Sequence, residues 1–270
     1  MSRISFNAIQ HFLEDGQFSI GDISKKLGVS YKCVSNYVYR YGYKNRVRKE
    51  ERGRPHKYIL ERPDFFRSWS KSMSYCLGFI VADGNIHGTR LTIAVQPRDE
   101  DVLHFIRSSI GSNHPIRWYS YVDDDGVRRR YRWLAITSKQ ITRDLVSLGI
   151  IPNKSEIWKT SAPRFYIPEE YKWDFIRGVF DGDGTVGDKR KYGSRLSTSI
   201  GSSGVGLLEY IRSLSGLSPY PKSSPSRPDY YTLTWCKKDT ANFFKNSYDN
   251  ECFSLMRKKN AILAKLEHHL

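Results

Sequence analysis

The chain has 270 residues, enough for about two domains, and its 44 Lys and Arg against 28 Asp and Glu give a net charge of +16. No apolar run approaches the roughly 20 residues of a membrane span, and the N-terminus lacks the apolar core of a signal peptide. These features argue against a membrane or secreted protein and predict a cytoplasmic or nucleoid-associated one. Because the positive charge is spread along the whole chain, we expect a polyanionic partner.

The first 44 residues predict a small all-α domain. Within residues 19–42, "SIGDISKKLGVSYKCVSNYVYRYG", two short amphipathic helices are separated at Gly28, and Ser30 caps the second helix. This layout is typical of a helix-turn-helix, in which the second helix lies in the major groove of DNA. A helical hairpin used only for packing is the alternative.

The second of these helices has one apolar face and one polar face. Its predicted inner side chains are Val34, Tyr37 and Val38. The predicted outward side chains, which are able to reach bases and phosphates, are Tyr31, Lys32, Ser35, Asn36 and Arg40.

Residues 45–70 are charged, poorly periodic and interrupted by prolines, which predicts a basic linker. Within it, "RGRP" resembles the core of an AT-hook, whose side chains Arg52 and Arg54 would enter the minor groove. A solvated linker is the alternative interpretation.

Two stretches one hundred residues apart are related: "SYCLGFIVADGNIHG" at 74–88 and "WDFIRGVFDGDGTVG" at 173–187. Each has small residues four apart on one helix face, so two such helices can approach backbone to backbone. The acidic ends of the helices would then meet. Two carboxylates held together repel each other unless a metal ion bridges them, so the repeat predicts a cation site.

The copies "CLGFIVADG" (76–84) and "IRGVFDGDG" (176–184) resemble the motif of the LAGLIDADG homing endonucleases in their single-chain, two-motif form. The resemblance implies an α+β fold with pseudo-twofold symmetry, in which each half runs αββαββα. Residues 71–160 would form the first half and residues 161–270 the second. The curved antiparallel sheets would lie in the major groove of DNA.

The segments that follow each motif are compatible with that fold. Strand patterns occur at 90–96, 115–122 and 129–137 and again at 194–200 and 229–236, with helical patterns at 99–111 and 206–216. Alternation separates Arg130 and Arg132 from Tyr131 and Trp133, and we expect the arginines to face DNA and the aromatic residues, with Trp235, to lie in the core. The arginines predicted to contact DNA from the sheets are Arg117, Arg128, Arg130, Arg132, Arg195 and Arg227.

The resemblance implies that Asp83 and Asp183 hold divalent metal, assisted by the carbonyls of Ala82 and Gly182. The implied ion is Mg²⁺ or Mn²⁺, with Ca²⁺ as a non-productive substitute. The preceding acidic position is Val81 in the first copy and Asp181 in the second, and the family does not usually use it as a ligand. Basic residues implied to assist catalysis are Lys154 and Lys258.

The leading functional hypothesis is a site-specific endonuclease that cuts both strands of DNA across the minor groove. Its implied partner is double-stranded DNA with a long recognition site, bound by a monomer that acts as a pseudo-dimer. A DNA-binding regulator of the same fold that has lost cleavage is one alternative, and an RNA-splicing maturase is another.

Overall fold

The computed structural model describes residues 6–47, 58–187 and 196–267. The chain divides into two compact units, one that ends at residue 57 and one that begins at Tyr58. The predicted DNA contacts Arg52, Arg54 and Arg195 lie outside the described residues.

The described part of the N-terminal unit contains three α-helices: α1 (Phe6–Asp15), α2 (Ile20–Lys26) and α3 (Tyr31–Arg40). The side chain of Ser19 accepts a hydrogen bond from the backbone of Asp22, whose carboxylate accepts one from the backbone of Ser19, so a capping box begins α2. Gly28 has φ of +64°, which allows the turn before α3, and Ser30 caps α3.

The amphipathic pattern of α3 is confirmed. Val34, Tyr37 and Val38 are buried and pack with Ile9, Leu13 and Ile23 in a small core. On the opposite side Tyr31, Lys32, Asn36 and Arg40 are exposed and Ser35 is partly buried. The polar face of α3 therefore does not pack in the core of the N-terminal unit.

The predicted linker extended to residue 70, but its last part packs in the larger unit. Glu61 and Arg62 donate backbone hydrogen bonds to Gly111 and Ile110, and both Phe65 and Phe66 are buried. The buried side chains of Phe65 and Phe66 hold this segment against the first half. The larger unit therefore begins at Tyr58 and not at residue 71.

The first half contains α4 (Lys71–Asp83), β1 (Gly84–His87), β2 (Arg90–Val95), α5 (Glu100–Ser109), β3 (Ile116–Val122), β4 (Arg128–Thr137), α6 (Lys139–Ser147) and the short α7 (Lys154–Ile157). Its four strands form an antiparallel sheet in the order β1-β2-β4-β3.

The second half contains α8 (Lys172–Asp183), β5 (Gly184–Val186), β6 (Ser197–Ser202), α9 (Val205–Ser215), β7 (Lys222–Ser224), β8 (Arg227–Cys236), α10 (Lys238–Tyr248) and α11 (Met256–Glu267). Its sheet has the order β5-β6-β8-β7, which repeats the first sheet strand for strand. The predicted α+β fold of two similar halves is confirmed. Trp235 is fully buried and stacked on Phe243, so its predicted place in the core is also confirmed.

The two halves meet where α4 crosses α8, and glycines make this crossing close. A methyl group added to Gly78 would lie 2.1 Å from the carbonyl oxygen of Phe175, and one added to Gly178 would lie 2.2 Å from that of Tyr75. One turn further on, a methyl group on Gly182 would lie 2.4 Å from the Cβ of Ala82. The small residues of the repeat therefore bring the two backbones into contact.

We expect Gly178→Ala to lower the free energy of unfolding by about 1–3 kcal/mol, the usual cost of overpacking a tight contact. Alanine is favoured over glycine inside a helix by roughly 1 kcal/mol, so any loss must come from the crossing. Urea denaturation measures the change, and Ser213→Ala, at an exposed position of α9, is the control. Equal or higher stability for Gly178→Ala would contradict the close approach of the helices.

Candidate active site and nucleic-acid interface

Asp83 and Asp183 are the last residues of α4 and α8, and the next residue of each copy, Gly84 or Gly184, begins a strand. Because the helices cross at their small residues, the two ends lie together. The Oδ2 atom of Asp83 lies 3.2 Å from the position that a Cβ on Gly182 would occupy. Both aspartates line one cavity of about 570 Å³. The predicted meeting of the two acidic ends is confirmed.

The positive charge near the carboxylates of Asp83 and Asp183 offsets only part of the cost of ionising them in a buried site. Burial, together with the charge of Asp183, raises the pKa of Asp83 to about 7, against the opposing effect of Lys258 and Lys154. Burial likewise raises the pKa of Asp183 to about 6, against the opposing effect of Lys258 and Lys154. Neighbouring lysines therefore offset only part of the cost of ionising this pair, and a bound cation would supply the rest.

Each motif helix ends against a buried lysine. The Nζ of Lys258 donates hydrogen bonds to the carbonyls of Phe180 and Asp181 at 2.7 Å and to that of Gly182 at 3.1 Å. In the first half, the Nζ of Lys154 donates to the carbonyl of Gly84. These ammonium groups neutralise the partial negative charge of the helix C-termini, which would otherwise repel the aspartates.

Burial makes both lysines easier to deprotonate than exposed lysines are. Burial lowers the pKa of Lys258 to about 8 and also lowers that of Lys154. The carbonyl of Gly182, which the resemblance assigns to metal, already accepts a hydrogen bond from Lys258. A metal ion on that oxygen would lie next to an ammonium group, so the two carboxylates are the better ligands.

Asp181 has a structural role. It is buried, and its Oδ2 accepts hydrogen bonds from the hydroxyl of Tyr75 and the backbone N–H of Leu255, both at 2.8 Å. Burial raises the pKa of its carboxyl to about 6. Asp181 thus ties the first half, through Tyr75, to the residue just before α11. Val81, its counterpart in the first motif, is an apolar core residue.

The cavity is also lined by side chains that sequence reasoning did not select: Gln96, Arg98, Asp99, Thr185 and Arg257. Arg257, at the start of α11, donates from Nε and Nη2 to the two carboxylate oxygens of Asp99, at 2.6 and 2.7 Å. The pair joins the second half to the segment before α5 in the first. The one available signal was the position of residues 96–99 directly after a strand that pairs with the motif strand.

The donor set fits a hard divalent ion. Among the described residues, no group of three or more His, Cys, Asp or Glu side chains gathers as a complete metal cage. Mg²⁺ needs no such cage, because it is usually held by one or two carboxylates while water and substrate phosphate complete its coordination. Asp83 and Asp183 supply that number.

The sheet faces differ from the prediction. In β4 the buried residues are Leu134 and Ile136, so Arg130 and Arg132 lie on the side of the sheet that the helices cover. Arg132 is partly buried, pairs with Glu100 of α5 and lies over the ring of Trp118. The expectation that Arg132 faces DNA from the open side was wrong, because alternation defines two faces without showing which one a helix layer covers. Arg130 is exposed near the end of β4, and its contact with DNA stays a prediction.

The open face of the first sheet carries an aromatic row. The row runs in the order Trp133, Tyr119, Tyr121 and Tyr131, with successive ring centroids 5.9–6.2 Å apart. Tyr131 and Trp133 were expected in the core and are only partly buried. Arg117 is exposed on this same face, opposite Trp133 in the register, and donates a hydrogen bond to Tyr58. Arg128 is exposed at the far end of β4.

The open face of the second sheet is instead rich in hydroxyl groups. By register and alternation it presents Thr185, Ser199, Thr232 and Thr234. Arg227 is exposed at the start of β8, with its guanidinium over the ring of Tyr230. The two sheets therefore expose surfaces of different chemistry.

No protein-family model matches the chain. Over 125 residues it is 30% identical to the uncharacterized protein MJ0398 of Methanocaldococcus jannaschii, a match that covers 43% of this chain and 40% of that protein. The chain therefore matches less than half the length of this curated relative.

Among solved structures, the chain is similar to the homing endonuclease I-WcaI bound to its DNA recognition sequence, at 12% identity, with 73% of this chain and 90% of that chain covered and a TM-score of 0.52. The N-terminal LAGLIDADG domain of DUF199/WhiA is a weaker likeness, at 14% identity, 70% and 86% coverage and a TM-score of 0.44. The chain has the LAGLIDADG fold. No helix in the described part of the chain is long and apolar enough to cross a membrane.

We expect Asp83→Asn to stabilise the metal-free protein at high pH. The pKa of Asp83 is higher in the folded state than in the unfolded chain, so protonation favours folding and the free energy of unfolding falls as the pH rises from about 4 to about 7. The asparagine variant escapes this loss. Its advantage should be near zero at pH 4 and about 1–2 kcal/mol at pH 8, after allowance for solvent screening.

Urea denaturation in EDTA at the two pH values measures this advantage. Asp229→Asn, at an exposed position of β8, is the control and should show no such dependence. A constant difference between wild type and Asp83→Asn from pH 4 to pH 8 would show that the carboxyl ionises normally.

Proposed function

We propose that this protein is a metal-dependent, site-specific endonuclease that hydrolyses both strands of double-stranded DNA across the minor groove. The observation that carries the proposal is the pair of carboxylates, Asp83 and Asp183, held at the end of the helix crossing between two buried lysines. A protein with a net charge of +16 that holds an acidic pair in this way is suited to bring a phosphodiester to a divalent cation.

Asp83 and Asp183 would hold Mg²⁺ or Mn²⁺, and Ca²⁺ would occupy the same oxygens without supporting cleavage. When bound, the divalent ion supplies Lewis-acid polarisation of the scissile phosphate. Lys154 and Lys258 keep positive charge on either side of the carboxylates and hold the helix ends in place through the carbonyl hydrogen bonds. As ammonium groups they would also favour the charge that develops on the phosphate during hydrolysis.

The open faces of the two sheets would hold the duplex on either side of this centre. We propose that Arg117, which is exposed on the open face of the first sheet, and Arg128 and Arg227, which are exposed at the ends of β4 and β8, contact DNA. Arg132 is excluded from this set by its ion pair with Glu100. The tyrosines and hydroxyl side chains of the open faces would reach base edges in the major groove.

The N-terminal unit would extend the contact as a helix-turn-helix. Its exposed side chains Lys32, Asn36 and Arg40 lie on one face of α3, as in a recognition helix. We propose that the protein binds a long site as a monomer whose two halves act as a pseudo-dimer. The segment with Arg52 and Arg54 remains a predicted minor-groove contact.

An RNA-splicing maturase is a second candidate, favoured by one observation. The aromatic row of the first sheet would suit stacking with unpaired bases, which is how proteins read single-stranded RNA. Duplex DNA is preferred because the carboxylate pair provides for hydrolysis, which splicing assistance does not need.

Incubation with a library of randomised duplexes and Mg²⁺, followed by sequencing of the new ends, tests the proposed activity. We expect ends that cluster at one long sequence and disappear in EDTA. Specific retention of duplexes without new ends would indicate a non-cleaving regulator. Retention of structured RNA in preference to duplex DNA would indicate a maturase.

We expect Asp83→Asn and Asp183→Asn each to reduce cleavage of the recovered site by roughly 100-fold or more, because the charge stabilisation that the metal provides is worth several kcal/mol. The Kd for DNA in Ca²⁺ should stay within a few-fold of wild type. Single-turnover cleavage and filter binding measure the two quantities, with Asp229→Asn as the control. Undiminished cleavage by either variant would remove the metal assignment.

We expect the double variant Lys32→Ala with Arg40→Ala to weaken DNA binding and to reduce the slope of log K against log salt by about 2, as for the loss of two phosphate contacts. The matched control is Lys159→Ala with Lys172→Ala, which removes two charges that are already paired with surface glutamates. Binding over a series of salt concentrations gives the slopes. Equal slopes for the two double variants would show that α3 does not touch DNA.

A further inference from the structure

The two sides of the carboxylate pair can be compared through the strand registers. Gly84 of the first motif pairs with Ile93, and Gly184 of the second pairs with Ile200. From these two partners, equivalent positions can be counted forward in each half. Lys154 and Lys258 correspond by their contacts, because each donates to a carbonyl group at the end of a motif helix.

Among the described residues, the positions on the two sides differ in charge. Counting three, five and six residues onward gives Gln96, Arg98 and Asp99 in the first half and Ser203, Val205 and Gly206 in the second. Arg257 precedes Lys258 and lies on the side of Arg98 and Asp99. On the other side, Asn153 precedes Lys154. The aspartates, the lysines and the equivalent tyrosines Tyr131 and Tyr230 are shared by both sides.

The second side is also filled where the first is open. A methyl group added to Gly206 would lie 2.6 Å from the carbonyl oxygen of Ser161, and one added to Gly204 would lie 2.9 Å from the Cβ of Trp158. The segment between the halves therefore packs on the positions equivalent to Pro97 and Asp99. On the first side the cavity is lined by Ala94, Val95, Gln96, Arg98 and Asp99.

Arg98 is placed to use this opening. It is exposed, lines the cavity with both aspartates and has no hydrogen bond or ion pair with any residue that the structure describes. Its neighbour Arg257 is held by two hydrogen bonds to Asp99 and fixes the wall of the cavity beside it. A free guanidinium at the rim of a carboxylate site matches a phosphate in charge and geometry.

We propose that the two strands are cut at unequal rates: Arg98 holds the scissile phosphate on its side of the aspartate pair, that strand is hydrolysed first, and the protein works through a nicked duplex. This inference rests on the proposed endonuclease function. The second side cuts its strand more slowly because Val205 stands at the position equivalent to Arg98.

Strand-labelled duplexes carrying the recovered site test the order of cutting. We expect one strand to be cut at least about fivefold faster, so that a nicked species accumulates, and Arg98→Ala to slow that strand roughly tenfold while the other changes less than twofold. Arg107→Ala, which removes one charge from α5, and Val205→Ala are the controls. Equal rates for both strands in the wild type, or equal slowing of both by Arg98→Ala, would overturn the inference.

Ethylation interference in EDTA tests the same contact without cleavage. In the wild type, ethylation of one central phosphate on the faster strand should block binding, and Arg98→Ala should lose that interference alone. Arg98→Lys should retain part of it. Interference at matching phosphates of both strands would contradict the assignment of Arg98.

The two experiments separate the inference from the function on which it rests. Asymmetric interference without any cut in Mg²⁺ would reject the endonuclease, and the cutting order with it, while keeping the Arg98 phosphate contact. Cuts at equal rates on both strands would support the endonuclease and reject the inference.

Discussion

The backbone contact between α4 and α8 is the constraint on which the rest of the larger unit depends. Glycines at 78 and 178 let each helix lie against the carbonyl groups of the other, and a side chain at either position would push them apart. Because the contact continues to Ala82 and Gly182, the ends of the two helices cannot separate. The same contact joins the halves, buries the apolar residues of both motifs and sets the two aspartates beside each other.

This geometry creates an electrostatic conflict that the fold only partly relieves. Carboxylates follow directly on helix C-termini, where the backbone already carries partial negative charge. Lys154 and Lys258 partly neutralise that charge through hydrogen bonds to the carbonyl groups. Burial lowers the pKa of both lysines and raises the pKa of both aspartates. The remaining deficit of positive charge would favour the proposed binding of a divalent cation at this site.

Because both motif copies lie in one chain, the two halves can differ in sequence, and here they differ at several positions. Asp181 buries a carboxylate to anchor the residue before α11, where the first copy has Val81. One sheet exposes an aromatic row and the other a set of hydroxyl groups. The cavity beside the aspartates is lined by Arg98 and Arg257, whose counterparts in the described part of the other half are Val205 and Asn153. The two aspartates of the repeat thus lie between two halves whose exposed surfaces differ in chemistry.

The sequence by itself determined the repeat, the helices of the N-terminal unit and the meeting of Asp83 with Asp183, because helical period and small-residue spacing are local properties that the chain displays directly. Only the tertiary structure decided which face of each sheet is covered, and this reversed the expected roles of Arg132 and Tyr131. It also decided that Asp99 meets Arg257 across 158 residues. Alternation and spacing describe one element at a time, whereas burial and long-range pairing depend on how elements stack, which no local pattern encodes.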